Sequence, residues 1–248
     1  ERIFISHLHP DHYLGLLGLL TTLNLQRKEQ PIHIHAPAGL LEILEVQFRN
    51  SEIDIQYAIG FHPLKFDKQE IIFEDKYIEV SSIPLFHRIP CCGFYFRQKA
   101  PYRKLKKDKI NNRDIPVKAF NILREGNDFI LPDGCVLKSE EFTENVSEEH
   151  TYLYITDTLY SPELAASFNN VSMLYHEATF ANELIEKALN TYHSTAKQAA
   201  EFALTSGARQ LLIGHYSSRY KDLNPLLAEA KEVFENTILG EEGVTYTI

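Results

Sequence analysis

Four side chains that bind metal ions lie within six residues near the start of the chain, which reads His7-Leu8-His9-Pro10-Asp11-His12. Neutral imidazoles and a carboxylate suit zinc, and manganese or iron also accept such ligands. Burying these groups without a cation would be unfavourable, because each loses its hydration. The segment leaves an apolar strand and enters a helix, so that alternate side chains diverge. The spacing therefore predicts two neighbouring metal ions rather than one.

Three further candidate ligands come from distant parts of the chain. They share a position at or just after the end of a predicted strand, where buried backbone can hold a ligand in place. They are His87 after the strand 77–83, Asp157 after 151–156, and His215 after 210–214. Each is unremarkable alone, but together with the first motif they complete a two-metal set.

The other histidines and the cysteines are interpreted as structural. His33 and His35 alternate within a predicted strand and are expected to be half-buried on its face, while His62, expected in a loop, and His150 are expected at the surface. The adjacent Cys91 and Cys92 are expected to be small buried residues. Three cysteines cannot form a disulfide framework, which favours a reducing, cytoplasmic location.

The elements that must position these groups alternate between strands and helices at both ends of the chain, with short β segments between. This pattern predicts an α/β fold with two sheets covered by helices. The helix 195–206 has Thr195 and Gln198 in capping-box spacing. The apolar stretch 14–25 is shorter than the roughly 20 residues that span a bilayer, so no membrane partner is predicted.

The predicted strands include 3–6, 32–35, 53–59, 70–73, 93–96, 171–175 and 244–247, and the predicted helices include 13–25, 39–49, 182–189 and 225–235.

Charge is distributed unevenly along the chain. The whole sequence carries a net charge of −9, but residues 97–124 contain ten basic and two acidic residues, a net of +8. Prolines and asparagines in this segment argue against one long helix. We interpret it as a protruding arm, residues 97–133, within a single domain of residues 1–248. Its candidate RNA-binding residues are Arg103, Lys104, Lys106, Lys107, Lys109 and Arg113, which would meet phosphates with little dependence on sequence.

Several motifs, in this chain order, resemble those of the ribonuclease Z family of metallo-β-lactamase-fold enzymes. They are Phe4-Ile5-Ser6-His7-Leu8-His9-Pro10-Asp11-His12, Thr156-Asp157-Thr158, Tyr175-His176-Glu177-Ala178-Thr179-Phe180, His193-Ser194-Thr195 and Gly214-His215. The resemblance implies an αββα sandwich and removal of the 3′ trailer from precursor tRNA. It also implies a homodimer in which the arm of one subunit grips tRNA bound at the other.

The family's ligands carry over position by position. They imply His7, His9 and His87 on one zinc ion, Asp11, His12 and His215 on a second, and a bridging Asp157. Manganese is an alternative metal.

The same residues support hydrolysis of a phosphodiester. Asp11 can accept the proton of the attacking water, and His193 can donate one to the departing ribose oxygen, with Glu177 keeping His193 charged and oriented. The helix that begins at Thr195 offers free backbone N–H groups, which assigns Ser194 and Thr195 to phosphate positioning.

Two departures from the family pattern are evident. Pro10 replaces the usual glycine between the second histidine and the aspartate, and could shift Asp11. The chain begins at Glu1 without an initiator methionine, and the family's first strands are expected to lie outside it.

Other functions fit parts of the sequence. A cyclic-nucleotide or other small phosphodiesterase, or a lactone or sulfate-ester hydrolase, would share the metals but not the arm. A non-catalytic RNA-binding relative would have an incomplete metal site.

Overall fold

The computed structural model describes residues 1–99, 103–110, 115–144 and 150–248. They form two compact units. The first contains residues 1–74, 79–96 and 151–248, and the second contains residues 75–78 and 97–150. The sequence interpretation ended the arm at residue 133, whereas the second unit continues to His150 and also includes the short segment 75–78.

The strands of the described residues are, in chain order, β1 (Arg2–Phe4), β2 (Ile32–Ala36), β3 (Ile59–Pro63), β4 (Glu70–Glu74), β5 (Ile78–Leu85), β6 (Cys91–Gln98), β7 (Lys104–Leu105), β8 (Phe129–Ile130), β9 (Val136–Leu137), β10 (Thr143–Glu144), β11 (Thr151–Ile155), β12 (Met173–Glu177), β13 (Gln210–Gly214) and β14 (Thr237–Leu239). The helices are α1 (Pro10–Leu25), α2 (Gly39–Asn50), α3 (Lys107–Ile110), α4 (Val117–Arg124), α5 (Ser139–Phe142), α6 (Pro162–Ala166), α7 (Ile185–Thr191), α8 (Ala196–Thr205) and α9 (Asn224–Val233), with a 3₁₀ turn at Asn182–Leu184.

Two sheets build the first unit. The smaller is parallel, with the order β1-β2-β3, and the larger has the order β14-β13-β12-β11-β6-β5-β4. Strands β11 to β14 run parallel, with Ile155 beside His176 and Glu177 beside Gly214. Because parallel strands end at the same edge of a sheet, the residues that follow β11, β12 and β13 emerge close together.

Apolar residues fill three interfaces of the first unit. Helices α1 and α2 cover the smaller sheet through a core that includes Leu20, Ile34 and Leu40. Helices α6, α8 and α9 cover the larger sheet in the same way. Phe4 meets Phe94 between the two sheets. The resulting helix–sheet–sheet–helix order confirms the expected αββα sandwich. Within the described chain, no helix has the length and apolar character needed to cross a membrane.

The second unit has a small core of its own. Among the described residues, its buried apolar members are Ile115, Ala119, Leu123, Leu137 and Phe142. Its described helices, α3, α4 and α5, have eight residues or fewer, consistent with the expectation that no single long helix forms there.

Two predicted strands are wrong. Residues 53–58 are not a strand, because their apolar side chains pack against the core beneath α1 instead of pairing in a ladder, and Tyr57 Oη donates to the carbonyl of Leu20 at 2.9 Å. Residues 244–247 are also irregular. There Tyr246 Oη donates to the carbonyl of Leu239, so that its side chain ties the segment to β14.

The histidines of the smaller sheet form a separate cluster. His35 is 2 % exposed, and its ring stacks on Phe4 and His62. Arg2 donates to His35 Nε2 at 3.1 Å, and His33 lies 3.0 Å from His62. Burial lowers the pKa of His35 to about 4, helped by the nearby His62 and Arg2. His62 lies in β3 rather than in the predicted loop. Among the described residues, the groups suited to a metal do not include these three histidines.

Candidate metal centre

The first ligands lie in the turn between β1 and α1. His9 is the extended residue before the helix, and Pro10 begins it. A proline at this position needs no hydrogen-bonded N–H and already has a helical φ. His12 N donates to the His9 carbonyl at 3.0 Å, which closes the first turn. Pro10 is therefore compatible with the motif and starts the helix that carries Asp11 and His12.

Left-handed backbone supplies two ligands from the larger sheet. Asp157 follows β11 with φ 33°, and His215 follows β13 with φ 55°. Residues other than glycine rarely adopt such angles, and strain of this kind concentrates at functional sites. The preceding Gly214 has no room for a side chain because Tyr175 packs against it. The end of β13 is thus fixed by close packing where His215 leaves the sheet.

One group of nitrogens converges on a single point. His9 Nδ1 lies 3.0 Å from His7 Nε2 and 3.1 Å from His87 Nε2. The other ring nitrogens face away from this point: His7 Nδ1 contacts Ser6 Oγ at 3.0 Å, and His87 Nδ1 contacts the carbonyl of Tyr192 at 3.1 Å. These outer contacts fix the ring orientations as in known metal sites.

A second group adjoins the first. His12 Nε2 lies 3.4 Å from Asp11 Oδ2, and His215 Nε2 lies 3.9 Å from the same oxygen. The Asp11 side chain is 70 % exposed and therefore open to solvent.

Asp157 stands between the two groups. Its Oδ2 lies 3.6 Å from His7 Nε2 and 3.8 Å from His87 Nε2. Its Oδ1 lies 3.3 Å from Nε2 of both His12 and His215. Each carboxylate oxygen thus faces a different ligand group, and the seven residues predicted as ligands are brought together.

The donor set fits divalent metal ions. His12 Nε2 is buried and has no hydrogen-bond partner among the described residues, a condition that a cation would relieve. Burial lowers the pKa of His7 to about 3, although the Asp157 carboxylate acts in the opposite direction. Burial would raise the pKa of Asp157, but the neighbouring histidines, His215 and His12 foremost, and the hydrogen bond from Thr156 together lower it. The shifts favour a neutral His7 imidazole beside an ionised Asp157 carboxylate, which are the protonation states that metal binding requires.

Glu177 and His193 form a pair beside the ligands. His193 Nδ1 lies 3.1 Å from Glu177 Oε1, and Glu177 is fully buried. Thr158 N also donates to this carboxylate at 2.7 Å. Burial would lower the pKa of His193, but the hydrogen bond and the charge of Glu177 raise it overall. The pair can therefore hold a proton at His193 for delivery, the arrangement predicted from the sequence.

Thr179 connects this pair to the metal ligands, a role that the sequence interpretation missed. Its Oγ1 lies 2.5 Å from Glu177 Oε2 and 2.9 Å from His215 Nδ1. Because a hydroxyl has one proton and a charged acceptor binds it more strongly, Thr179 donates to Glu177 and accepts from His215. The signal available in the sequence was its position two residues after Glu177 in the resembling motif.

The phosphate-positioning role assigned to Ser194 and Thr195 needs correction. Both side chains are fully buried. Ser194 Oγ donates to the carbonyl of Thr158 at 2.8 Å, and Thr195 Oγ1 accepts from Gln198 N in the predicted capping box. Their hydroxyls are therefore occupied in holding the segment after His193. The backbone N–H groups on which the prediction rested are also bonded within the chain, because those of Thr195, Ala196 and Lys197 donate to Gln198 Oε1, to the carbonyl of Phe180 and to Glu229 Oε1, respectively.

A pocket of about 250 Å³ opens beside the ligands. It is lined by His9, His87, Arg88, Thr191 and His193. The sequence interpretation did not select Arg88 or Thr191, because neither belongs to a metal-binding or proton-transfer pattern.

The six candidate RNA-binding residues differ in their surroundings. Arg103 Nε donates to Thr143, Lys104 pairs with Glu144 at 3.1 Å, and Lys106 Nζ donates to the carbonyl of Glu140. Lys107 and Lys109 are exposed, and no ion pair involves them within the described ranges. Arg113 lies outside the described residues.

Taken together, the sandwich and its paired ligand groups define a metal-dependent hydrolase of the metallo-β-lactamase fold. A family model described as "Beta-lactamase superfamily domain" matches residues 1–102. The chain resembles the ribonuclease Z of Bacteroides fragilis with 41% identity over 248 residues, which is 100% of this chain and 82% of that protein. It resembles the ribonuclease Z of Porphyromonas gingivalis with 40% identity over 97% of this chain and 79% of that protein.

A solved structure agrees with this assignment at the level of the fold. The short form of human tRNase Z matches with a TM-score of 0.66 and 23% identity, covering 100% of this chain and 78% of that one. On the identities and coverage of its bacterial relatives, the chain belongs to the ribonuclease Z family.

Replacing Thr179 with valine tests the connection between the two parts of the site. The change keeps the shape but removes the hydroxyl, so that buried Glu177 loses one donor. We expect the free energy of unfolding to fall by about 1–3 kcal/mol in urea denaturation. We also expect metal affinity, measured by competition with a chelator, to fall by about 10–100-fold, because His215 loses its outer partner.

Thr179→Ser is the matched control, since it retains the hydroxyl and should behave like the wild type. Wild-type metal affinity in Thr179→Val would show that Thr179 does not position His215.

Proposed function

We propose that this chain is an endoribonuclease that removes the 3′ trailer of precursor tRNA by two-metal hydrolysis of a phosphodiester bond. The observation that carries the proposal is the buried Asp157 carboxylate, whose two oxygens face two different groups of histidines. The names of the bacterial relatives and the Glu177–His193 pair beside the ligands support it.

Two zinc ions per chain are proposed, with manganese as the alternative. His7, His9 and His87 would hold one ion, Asp11, His12 and His215 the other, and Asp157 would bridge them. Such ions, when bound, lower the pKa of a water molecule and stabilise negative charge on a phosphate.

The proposed roles of the chain's own groups follow from their contacts. Asp11 is open to solvent, and its carboxylate accepts the proton of the attacking water. His193 donates a proton to the departing ribose oxygen. Glu177 keeps His193 protonated and oriented through the contact at its Nδ1. As the new P–O bond forms, the water oxygen loses its proton to Asp11. As the old P–O bond breaks, the ribose oxygen gains a proton from His193.

The second unit is proposed as the tRNA-binding arm. Exposed Lys107 and Lys109 suit contact with phosphates, which gives affinity without base recognition. Arg103, Lys104 and Lys106 add positive charge while also making contacts within the unit.

A homodimer is also proposed, on the resemblance to the family. An exposed face of α1, made of Leu14, Gly15, Gly18 and Leu19, supports it. A side chain added at either glycine would meet nothing within 4 Å, so the face is open to a second copy. Exposed contiguous apolar surface of this kind is typical of interaction sites.

The enzymatic proposal is tested on a precursor tRNA that carries a 3′ trailer, with the cleavage site mapped to the nucleotide. The wild type is expected to cut at the start of the trailer. His193→Ala is expected to retain metal, measured by elemental analysis, but to lose about 10²–10⁴-fold in kcat, the usual contribution of a general acid. Asp157→Ala is expected to lose metal as well as activity.

His62→Ala is the control, because it removes an exposed histidine that belongs to none of the ligand groups. It should keep both metal and activity. Full loss of metal from His193→Ala would contradict the division between ligands and proton donor.

The arm is tested by the double variant Lys107→Gln/Lys109→Gln. We expect weaker binding of precursor tRNA and a salt dependence reduced by up to about 0.9 in log–log slope for each phosphate that the variant no longer neutralises. Hydrolysis of bis(p-nitrophenyl) phosphate should stay unchanged, because this small substrate has no tRNA body for an arm to bind. The double variant Lys68→Gln/Lys231→Gln removes the same charge from exposed positions of the first unit and serves as the control. Equally weakened binding in both variants would reject a specific role of the arm.

The dimer is tested by light scattering during size-exclusion chromatography. The wild type should elute as a dimer, and Leu14→Glu/Leu19→Glu should elute as a monomer, because two carboxylates would be buried at the interface. Leu204→Glu changes an exposed leucine on α8 and should remain dimeric. A monomeric wild type would exclude this assembly.

A further inference from the structure

The pocket beside the ligands contains one permanent positive charge that the proposed mechanism has not used. Arg88 lies in the turn between β5 and β6, directly after the ligand His87. It lines the pocket with His9, His87 and His193, beside the candidate ligands. The side chain is exposed and can therefore reach a ligand.

The surroundings of Arg88 leave its charge unneutralised. Its NH2 group donates to the carbonyl of Asn190 at 3.3 Å. Among the described residues, no carboxylate lies within ion-pairing distance of it, and neither Asp nor Glu lines the pocket. The remaining guanidinium N–H groups are thus available. A guanidinium presents up to five donors in a planar fork, which matches the oxygens of a phosphate.

The hydrogen bond to Asn190 holds Arg88 near the proton donor. Asn190 belongs to the last turn of α7, and Tyr192, two residues later, has a left-handed backbone with φ 61°. The Tyr192 carbonyl in turn accepts a hydrogen bond from His87 Nδ1 at 3.1 Å. The same short turn therefore orients a metal ligand, fixes one side of Arg88 and leads directly into His193.

We propose that Arg88 binds a non-bridging oxygen of the scissile phosphate and stabilises the negative charge that develops there during hydrolysis. The proposal rests on the proposed function, because it assumes that a phosphodiester occupies the pocket. Arg88 forms and breaks no covalent bond. It acts by charge and charge-assisted hydrogen bonding to the oxygen on which negative charge develops.

Arg88→Gln and Arg88→Lys test the proposal with two substrates, a precursor tRNA with a 3′ trailer and bis(p-nitrophenyl) phosphate. In Arg88→Gln, kcat/KM should fall about 10²–10³-fold on both substrates, as for the loss of one donor to a developing oxyanion. Arg88→Lys should recover part of this loss, because it keeps the charge without the planar fork. Metal content should match that of the wild type.

Inhibition by inorganic phosphate gives a readout that a purely structural role would leave unchanged. Its inhibition constant for hydrolysis of bis(p-nitrophenyl) phosphate should rise at least about tenfold in Arg88→Gln, because glutamine cannot form the charge-assisted hydrogen bond to phosphate. Arg49→Gln, which removes an exposed arginine from the last turn of α2, is the matched control and should keep the wild-type constant.

These measurements distinguish failure of the proposed function from failure of the proposed role of Arg88. If the wild type does not cut the tRNA precursor, the proposed function fails. If the wild type cuts it and Arg88→Gln keeps the wild-type kcat/KM and phosphate inhibition constant, the role of Arg88 is overturned. It is also overturned if Arg49→Gln changes the phosphate constant as much as Arg88→Gln does, since the effect would then reflect net charge alone.

Discussion

The site depends on one buried carboxylate. Asp157 is 2 % exposed, and an isolated charge in such a position would be strongly unfavourable. Nε2 atoms of four histidines lie within 3.3–3.8 Å of it, and burial lowers the pKa values of three of them, His7, His12 and His87, although the Asp157 charge acts in the opposite direction. An ionised carboxylate surrounded by neutral imidazoles is a favourable arrangement when cations complete it. The electrostatics of Asp157 therefore explain why the chain concentrates so many ligands in one place.

Strained backbone at the sheet edge is the structural consequence. Asp157, Tyr192 and His215 all have positive φ, which for non-glycine residues is unfavourable without compensation. Compensation comes from neighbours that fix each position. The parallel ladder of β11 to β13 fixes the strand ends, Thr179 contacts His215, and the carbonyl of Tyr192 contacts His87. The rigid strands thus fix where each candidate ligand leaves the sheet, and the turns after the strands set the direction in which its side chain points.

Sequence patterns could select the candidate ligands because their chemistry is local. Four of them share one turn, and the others follow strands whose apolar runs are easily recognised. Thr179 and Arg88 could not be selected in this way, since their importance comes from neighbours distant in the chain. Ser194 and Thr195 show the opposite case: the backbone N–H groups of a helix start suggested phosphate binding, but in the fold these groups and the two hydroxyls are bonded within the chain. The apolar residues of 53–58 predicted a strand, although they pack beneath α1 instead.

A net charge summed along the sequence has the same limitation, because it does not show which charged side chains contact one another in the fold. The net charge of −9 argues against an RNA ligand, and the net of +8 over residues 97–124 argues for one, but neither number says which cations are available. Arg103, Lys104 and Lys106 make contacts within the second unit, so part of the basic segment stabilises that unit itself. Arg88, outside that segment, has no acidic partner among the described residues and lines the pocket beside the candidate ligands. Affinity for phosphate follows from the cations that remain unpaired, and therefore depends on the fold more than on composition.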